Sequence, residues 1–270
     1  MGRGETPTDC SVLIPSFDRY SDLWLPFFTL FWRYWPDCPF PVYLGSNEQV
    51  FSHPRVTTIP VGPAGSWAER IGKLLNAIST RYALMILEDF FFRRAVDNNR
   101  VLYCLQTLRE LDGAMLRLIP RPGPDAPVRQ FPEIGLIKPG APYRVSTQAA
   151  IWRREFILAL LRDGESIWQF EVNGTARSAD IDDGFYCVWK PAMPYRHHVV
   201  ERGKWFRREA RRFGSMGIGC DFSRRCIMTR EESLRWNLSK TRSGILRILP
   251  WKRRLQLVTI IRRFKGKCQR

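Results

Sequence analysis

Two carboxylates stand side by side at Glu88 and Asp89, directly after the apolar run Tyr82-Ala-Leu-Met-Ile-Leu87. A continuous run of this kind suits a central strand of a parallel sheet covered on both faces. Ligands of such sheets collect at the carboxyl ends of the strands. Carboxylates at that end can hold a hard cation such as Mg²⁺, with substrate phosphates completing its shell. The pair therefore points to a metal–diphosphate site. Two acids after a strand are more often solvated turn residues, so the rest of the chain must supply the weight. Arg70 and Lys73, three apart, share one face of an expected helix. They can meet a diphosphate, although a solvated face is the commoner use. Glu171 follows Trp168-Gln169-Phe170, one acid beside two aromatics, and Asp180, Asp182 and Asp183 lie shortly after it.

The elements that must position these residues are legible in outline. Cys10 to Ser16 reads as a first strand, stopped by Pro15. Asp22 to Trp35 reads as a helix with a dense aromatic face, Pro26 being tolerated in its first turn. Short strands are expected at 42–44 and 56–59. Ser66 with Glu69 three residues later is the signature of a capping box. Trp67, Ile71, Leu74, Leu75 and Ile78 then keep a helical period up to the apolar run. The order strand, helix, strand, strand, helix, strand argues for an α/β fold with a largely parallel sheet. After the acidic pair, a helix is expected over 98–111, a strand over 114–119, an irregular Pro/Gly-rich loop over 120–142, a strand over 144–152 and a helix over 153–161. Glu165 to Glu171 reads as a short segment. Tyr195 to Val200 reads as an edge strand, on which His197 and His198 would face opposite sides. One of them could serve as a late metal ligand; an edge residue in solvent is the commoner case.

The chain has 270 residues and a net charge of +17, with 44% hydrophobic residues, enough for a real core. The charge is unevenly placed. Residues 233–270 carry twelve Lys/Arg and no Asp/Glu, which leaves +5 for the first 232. A mildly basic body with a basic tail suggests that the tail docks while the body does something else. Gly244 to Phe264 mixes Lys/Arg with many apolar residues, divided by Pro250. That is the pattern of a basic amphipathic helix lying on an anionic membrane surface. Packing of its apolar side on the body is the rival reading. The seven cysteines show no C-x-x-C spacing and read as reduced, mostly buried thiols of a cytosolic protein. The amino terminus has no apolar stretch, so no signal peptide is expected. No run reaches the ~20 apolar residues of a transmembrane helix.

Val12-Leu-Ile-Pro15-Ser16-Phe17-Asp18-Arg19 resembles the opening strand and loop of family 2-type glycosyltransferases of the GT-A fold. The capped helix, the apolar strand and the acidic turn follow where that family keeps its Asp-x-Asp metal motif. The resemblance covers about the first 95 residues well and the next 100 in outline. It implies a Rossmann-type, mostly parallel sheet flanked by helices, to which the charge pattern adds a basic helical tail. It implies a catalytic domain over 1–232, its nucleotide-binding half at about 10–112 and its acceptor half at about 113–232, followed by the tail at 233–270. Pro15, Ser16, Phe17, Asp18, Arg19, Ser46, Asn47, Arg70, Lys73 and Glu88 would bind the nucleotide-sugar donor. Glu88 and Asp89 would hold Mn²⁺ or Mg²⁺. Glu171 would be the general base, and Trp168 and Phe170 would stack on the acceptor. The family implies inversion at the anomeric carbon.

Two departures mark a divergent branch, of the type that builds bacterial surface polysaccharide. The family's second strand usually ends in Asp-Asp-Gly-Ser, but Leu44-Gly-Ser46-Asn47 carries no acid. The third position of the metal motif is Phe90, which cannot ligate. The expected partners are a nucleotide sugar, a glycan or lipid-linked acceptor, and the cytoplasmic face of a membrane. Two other classes compete. A sugar nucleotidyltransferase wants a Gly-rich loop after the first strand, and Ser16-Phe-Asp-Arg19 has no Gly. A nucleic-acid binder would explain the charge, yet the body carries only +5 and no zinc-finger spacing or RNP-like motif is present.

Overall fold

In the computed structural model, residues 9–63, 65–181 and 184–238 are described. Compactness divides the chain into two units: one up to Val199 together with Met216–Asp221, the other Val200–Ser215 with the chain from Phe222. The basic segment Gly244–Phe264 and most of the tail lie outside the described residues, as do Asp182 and Asp183.

The first unit is built on β1 (Cys10–Ile14), α1 (Trp24–Tyr34), β2 (Val42–Ser46), β3 (Thr57–Pro60), α2 (Trp67–Ala77) and β4 (Tyr82–Met85). The chain continues through β5 (Phe91–Phe92), α3 (Asn98–Glu110), β6 (Met115–Arg117), β7 (Ala126–Pro127), β8 (Ile134–Leu136) and β9 (Ala150–Arg153). It then forms α4 (Arg154–Leu160), α5 (Ile167–Arg177), β10 (Phe185–Val188) and β11 (Tyr195–Arg196). Nine strands form one sheet in the order β3-β2-β1-β4-β9-β6-β10-β8-β7. β3, β2, β1 and β4 are mutually parallel, and β10 runs parallel to β6. β9 is antiparallel to both its neighbours, and β8 is antiparallel to β10. The fold is therefore α/β with a mixed, mostly parallel sheet flanked by helices. All five residues of β1 and all four of β4 are buried, as strands covered on both faces must be.

From β1 the chain steps outward through β2 and β3, then returns through α2 to β4 on the other side of β1. The connections leave β1 and β4 in opposite directions, so a topological switch point, with the crevice that accompanies one, falls at their carboxyl ends. Such a switch point is where open α/β sheets bind ligands. α2 starts at Ser66, whose Oγ accepts the Glu69 N–H while the Glu69 carboxylate accepts the Ser66 N–H. The expected capping box is thus present. Gly45, near the end of β2, lets Leu74 of α2 approach so closely that a Cβ at that position would stand 2.4 Å from a Leu74 methyl carbon.

Several boundaries differ from the sequence reading. The first part of the expected 22–35 helix is a 3-10 turn over Asp18–Leu23, and the α-helix begins at Trp24. The strand expected over 144–152 begins only at Ala150. Arg144 is buried, and its guanidinium bonds the carbonyls of Ser178 and Ile181, so the segment bends to suit that anchor. Trp168 to Glu171 are not a short segment but the first turns of α5. His197 and His198 do not alternate along a strand. β11 stops at Arg196, His198 has φ = 26°, and the two rings are 3.9 Å apart.

The second unit contains β12 (Val200–Glu201), β13 (Lys204–Trp205), α6 (Arg207–Gly214) and a helical segment over 230–238. β12 and β13 pair as a hairpin. Six of the seven cysteines fall among the described residues, and all six are free thiols. Burial pushes Cys104 and Cys187 up to about 12, which makes them poor nucleophiles. Among the described residues no helix is long and apolar enough to cross a membrane.

Candidate functional site

The loop after β1 forms one wall of the crevice. Pro15 and Ser16 are buried, and Ser16 Oγ accepts the Trp24 indole N–H at 2.8 Å. Phe17 packs on Tyr20, and the Arg70 guanidinium lies 5.4 Å from the centre of the Phe17 ring. Asp18 spends its carboxylate on the main chain. It accepts the N–H groups of Asn47, Glu48 and Gln49, and Asn47 Oδ1 accepts the Asp18 N–H at 3.1 Å. Asn47 Nδ2 donates to the Gly62 carbonyl. Asp18 and Asn47 thus tie together the loops after β1, β2 and β3. The acid missing from the end of the second strand is replaced in this mechanical sense by Asp18, reaching across from the first. Ser46 is fully buried, and Arg19 is exposed.

Glu88 and Asp89 are the two central residues of a tight turn, closed by the Phe90 N–H on the Leu87 carbonyl at 3.1 Å. Glu88 is buried and Asp89 half-buried. Arg70 feels the Glu88 carboxylate: burial lowers the guanidinium pKa, while Glu69 and Glu88 oppose that. Arg70 Nη1 also donates to the Gly65 carbonyl and Lys73 Nζ to the Val61 carbonyl, so both cations brace the loop ahead of α2.

The chain after β10 folds back along this turn. β11 pairs antiparallel with β5, and the Val199 N–H bonds the Asp89 carbonyl. Phe90 stacks on Tyr195 with ring centres 4.7 Å apart and planes 3° from parallel, and it also stacks on His197. Burial pushes the Tyr195 phenol well above its ordinary pKa, so it remains a neutral donor. Its hydroxyl donates to Gln148 Oε1 at 3.0 Å and accepts the Ala149 N–H. Gln148 Nε2 also meets the His197 ring. Both histidines therefore come to the acidic turn. Among the described residues, however, no group of three or more His, Cys, Asp or Glu side chains converges as metal ligands.

A narrow cleft opens beside the turn, lined in part by Trp67, Leu87, Thr147, Gln148 and Phe170. Glu171, on α5, bonds one of these lining residues, Thr147. Glu171 Oε1 accepts both the Thr147 N–H at 2.7 Å and the Thr147 hydroxyl at 2.8 Å. The two flanking aromatics diverge, because a helix sends residues two apart to different sides. Phe170 is buried against Trp67 with ring centres 5.0 Å apart, so it floors the cleft and offers no face for stacking. Trp168 is 74% exposed, one helical turn before Glu171, and its indole face is open. Beneath this wall lies Arg117, wholly buried, donating to the carbonyls of Pro122, Tyr143 and Arg144. Burial lowers its pKa, while Cys187 and the Glu171 carboxylate oppose that.

Sequence reasoning did not single out Thr147, Gln148, Tyr195 or Arg117 as parts of the site. The signal for α5 was present: Ser166-x-x-Gln169 is a capping box, with both reciprocal bonds formed. Tyr195 and Arg117 carry no local signal, because they act mainly on chain far away in sequence: Arg117 on Tyr143 and Arg144, Tyr195 on Gln148, Ala149 and Phe90.

The orientation of α5 also depends on Glu165. Its carboxylate takes a bidentate pair from Arg177 at 2.8 and 2.7 Å and a bond from Asn173 at 2.8 Å. The Arg177 hydrogen bonds, aided by Asn173, hold the Glu165 carboxyl below the usual range. A depressed folded-state value adds stability that is present above the unfolded carboxylate pKa of about 4.3 and lost as pH falls through the folded value. Urea denaturation should therefore show Glu165→Gln less stable than wild type by about 1–3 kcal/mol at pH 7. That gap should narrow between about pH 5 and pH 3.

No protein-family model matches this chain, and no curated protein does. Solved structures are similar at low identity. S. aureus TarS, residues 1–349, is 12% identical with a TM-score of 0.43, over 67% of this chain and 60% of that one. The mannosyltransferase PcManGT from Pyrobaculum calidifontis, in complex with GDP-Man and Mn²⁺, is 14% identical with a TM-score of 0.49, over 74% of this chain and 59% of that one. A mycobacterial protein is 13% identical with a TM-score of 0.45, over 83% of this chain and 77% of that one. The chain spans about 60% of the length of the TarS segment. At such distances a likeness assigns no residue its role.

Proposed function

We propose that this chain transfers a glycosyl group from a nucleotide-sugar donor to a glycan or lipid-linked acceptor, with inversion. The observation that carries the reading is the placement of three carboxylates. Glu88 and Asp89 occupy a turn at the carboxyl end of β4, beside the switch point, and Glu171 bonds Thr147, which lines a cleft together with Leu87 of that turn. The donor would lie between the Pro15–Arg19 loop and the acidic turn, with the Phe17 ring and Arg70 beside it.

Two adjacent oxygen donors suit a divalent cation that takes its remaining ligands from diphosphate and water, as Mg²⁺ and Mn²⁺ do in nucleotide sites. Glu88 and Asp89 would hold that cation, which supplies charge neutralisation of the departing diphosphate. The protein's own part is positional and basic. Asp18 and Asn47 fix the three loops of the donor wall. Arg70 adds positive charge on the same side. The acceptor hydroxyl oxygen attacks the anomeric carbon as the bond to the diphosphate oxygen breaks, its electron pair leaving with the nucleotide. The hydroxyl proton passes to Glu171. Thr147 holds Oε1, so on this reading Oε2 would receive it. Trp168 offers an exposed face on which an acceptor ring can stack.

On this reading the acceptor is met at the cytoplasmic face of a membrane, where the basic residues 233–270 would draw the chain. The reading is tested by thermal unfolding with UDP, GDP and CMP, each with and without Mn²⁺, and with random-sequence DNA. One nucleotide should raise the midpoint only when the cation is present. At ~100 times its Kd the ligand adds about 2.7 kcal/mol of stability. Stabilisation by DNA alone, or by none of the nucleotides, overturns the reading. Mass spectrometry with a panel of nucleotide sugars then identifies the donor.

A further inference from the structure

The acidic turn and the base Glu171 lie on separate pieces of chain, and the proposed transfer needs them at a fixed distance. A misplacement of about 1 Å can cost roughly 100-fold in rate. The turn is fixed by the sheet, because it follows β4 within two residues. Glu171 is held through Thr147, which donates both its N–H and its hydroxyl to Oε1. Thr147 lies ahead of the ladder, since pairing with β4 begins at Ala150, opposite Met85. Side chains hold the chain up to that point. Thr175 Oγ1 accepts the Val145 N–H and donates to the Val145 carbonyl. At 148 and 149 one hydroxyl makes two bonds. Tyr195 accepts the Ala149 N–H at 3.1 Å and donates to Gln148 Oε1 at 3.0 Å.

Tyr195 also reaches the acidic turn. Its ring lies flat on Phe90, with centres 4.7 Å apart and planes 3° from parallel. Its strand, β11, pairs with β5 directly after the turn. We propose that Tyr195 is a positioning residue that sets the spacing between the Glu88–Asp89 turn and Glu171. The proposal rests on the transferase reading and adds to it how the base is held. Ring and hydroxyl divide the work. A phenyl ring alone can stack on Phe90, so the packing does not require the oxygen. The hydrogen bonds of the oxygen go to 148 and 149, next to the residue that orients Glu171. Tyr195 is 3% exposed, so it acts through these contacts and not on a sugar. Phe90, which supplies no oxygen to a cation, seats the spacer.

The test is Tyr195→Phe, which keeps the stack and deletes both bonds. Amide hydrogen exchange reads the effect without substrate. The Thr147 N–H should exchange about tenfold faster in the variant. The Phe90 N–H, which closes the acidic turn, should exchange as in wild type. With the donor identified by the nucleotide-sugar panel, kcat should fall about tenfold, while donor KM and Mn²⁺-dependent nucleotide affinity stay unchanged. In a Glu171→Gln background the same substitution should lower the residual rate no further, because the group it positions is gone. An equal fall in both backgrounds overturns the proposal, and so does unchanged exchange at Thr147. A loss of nucleotide affinity matching the loss in kcat overturns it too, because the hydroxyl then supports the turn and not the base. Should circular dichroism show Tyr195→Phe unfolded, Gln148→Leu removes one of the two bonds and should give the same exchange pattern to a smaller extent; wild-type exchange there overturns the proposal. If the wild type transfers from no donor, the transferase reading fails, whereas exchange at Thr147 separately decides whether Tyr195 sets the spacing.

Discussion

Asp89→Ala should leave a folded protein that no longer binds a nucleoside diphosphate in a metal-dependent way. The fold should survive because the turn is held by main-chain bonds. The Phe90 N–H reaches the Leu87 carbonyl, and the Val199 N–H reaches the carbonyl, not the carboxylate, of Asp89. Phe90, locked against Tyr195 and His197, anchors the turn from below. The substitution therefore removes a charge from the crevice without removing its scaffold. Phe90 supplies no oxygen at the third position, so a cation would have few protein ligands and would depend heavily on each. Affinity measured by calorimetry with Mn²⁺ should fall at least a hundredfold, about 2.7 kcal/mol. EDTA should reduce wild-type binding to a similar level and leave the variant unchanged. Glu88→Ala should be milder in affinity, but Glu88 is buried, so it should also cost stability. Unchanged, EDTA-insensitive binding by the Asp89 variant would remove the metal from this site.

The same turn shows what a sequence can and cannot reveal. The Tyr82–Leu87 run announces a buried strand because burial on both faces leaves no polar position to fill. The succession of strands and helices in the first half follows from local alternation of patterns, and the α2 cap from four adjacent residues. All of these are short-range signals. The second half is governed by long side chains acting at a distance. Arg144 pins residues 178 and 181, and Arg117 pins 122, 143 and 144. Neither contact leaves a periodic trace, so Arg144 to Ala149 reads as strand from its β-branched residues while tertiary anchoring makes it a loop. His197 and His198 fail as alternating strand residues for a similar reason. The backbone at His198 turns left-handed, which brings adjacent rings together over Phe90. The Glu88–Asp89 pair was legible as chemistry. Its connection through Tyr195 and Gln148 to the wall that holds Glu171 was not, because that path crosses three separate segments of the chain.

Glu171→Gln should lower glycosyl transfer by roughly 10²–10⁴-fold, the usual contribution of a positioned general base. The substitution keeps the size of the side chain. It also keeps an oxygen able to accept the Thr147 N–H and hydroxyl, so the wall over residues 146–148 should stay in place. What it removes is the oxygen that can take a proton. Donor affinity should survive, because the proposed donor contacts lie on the loops after β1, β2 and β4. The loss should appear mainly in kcat, since the missing interaction belongs to the transition state. Thr147→Val separates the base from its support. It deletes one of the two bonds that orient Oε1 and should cost far less than Glu171→Gln, with the main-chain bond retained. Asp180→Asn, Asp182→Asn and Asp183→Asn are the controls. Asp180 is exposed at the end of a 3-10 turn, and the other two lie outside the described residues. If one of the three abolishes transfer while Glu171→Gln turns over near normally, the base lies one segment later, beyond α5. If all four variants stay active, the proton leaves by a group on neither segment.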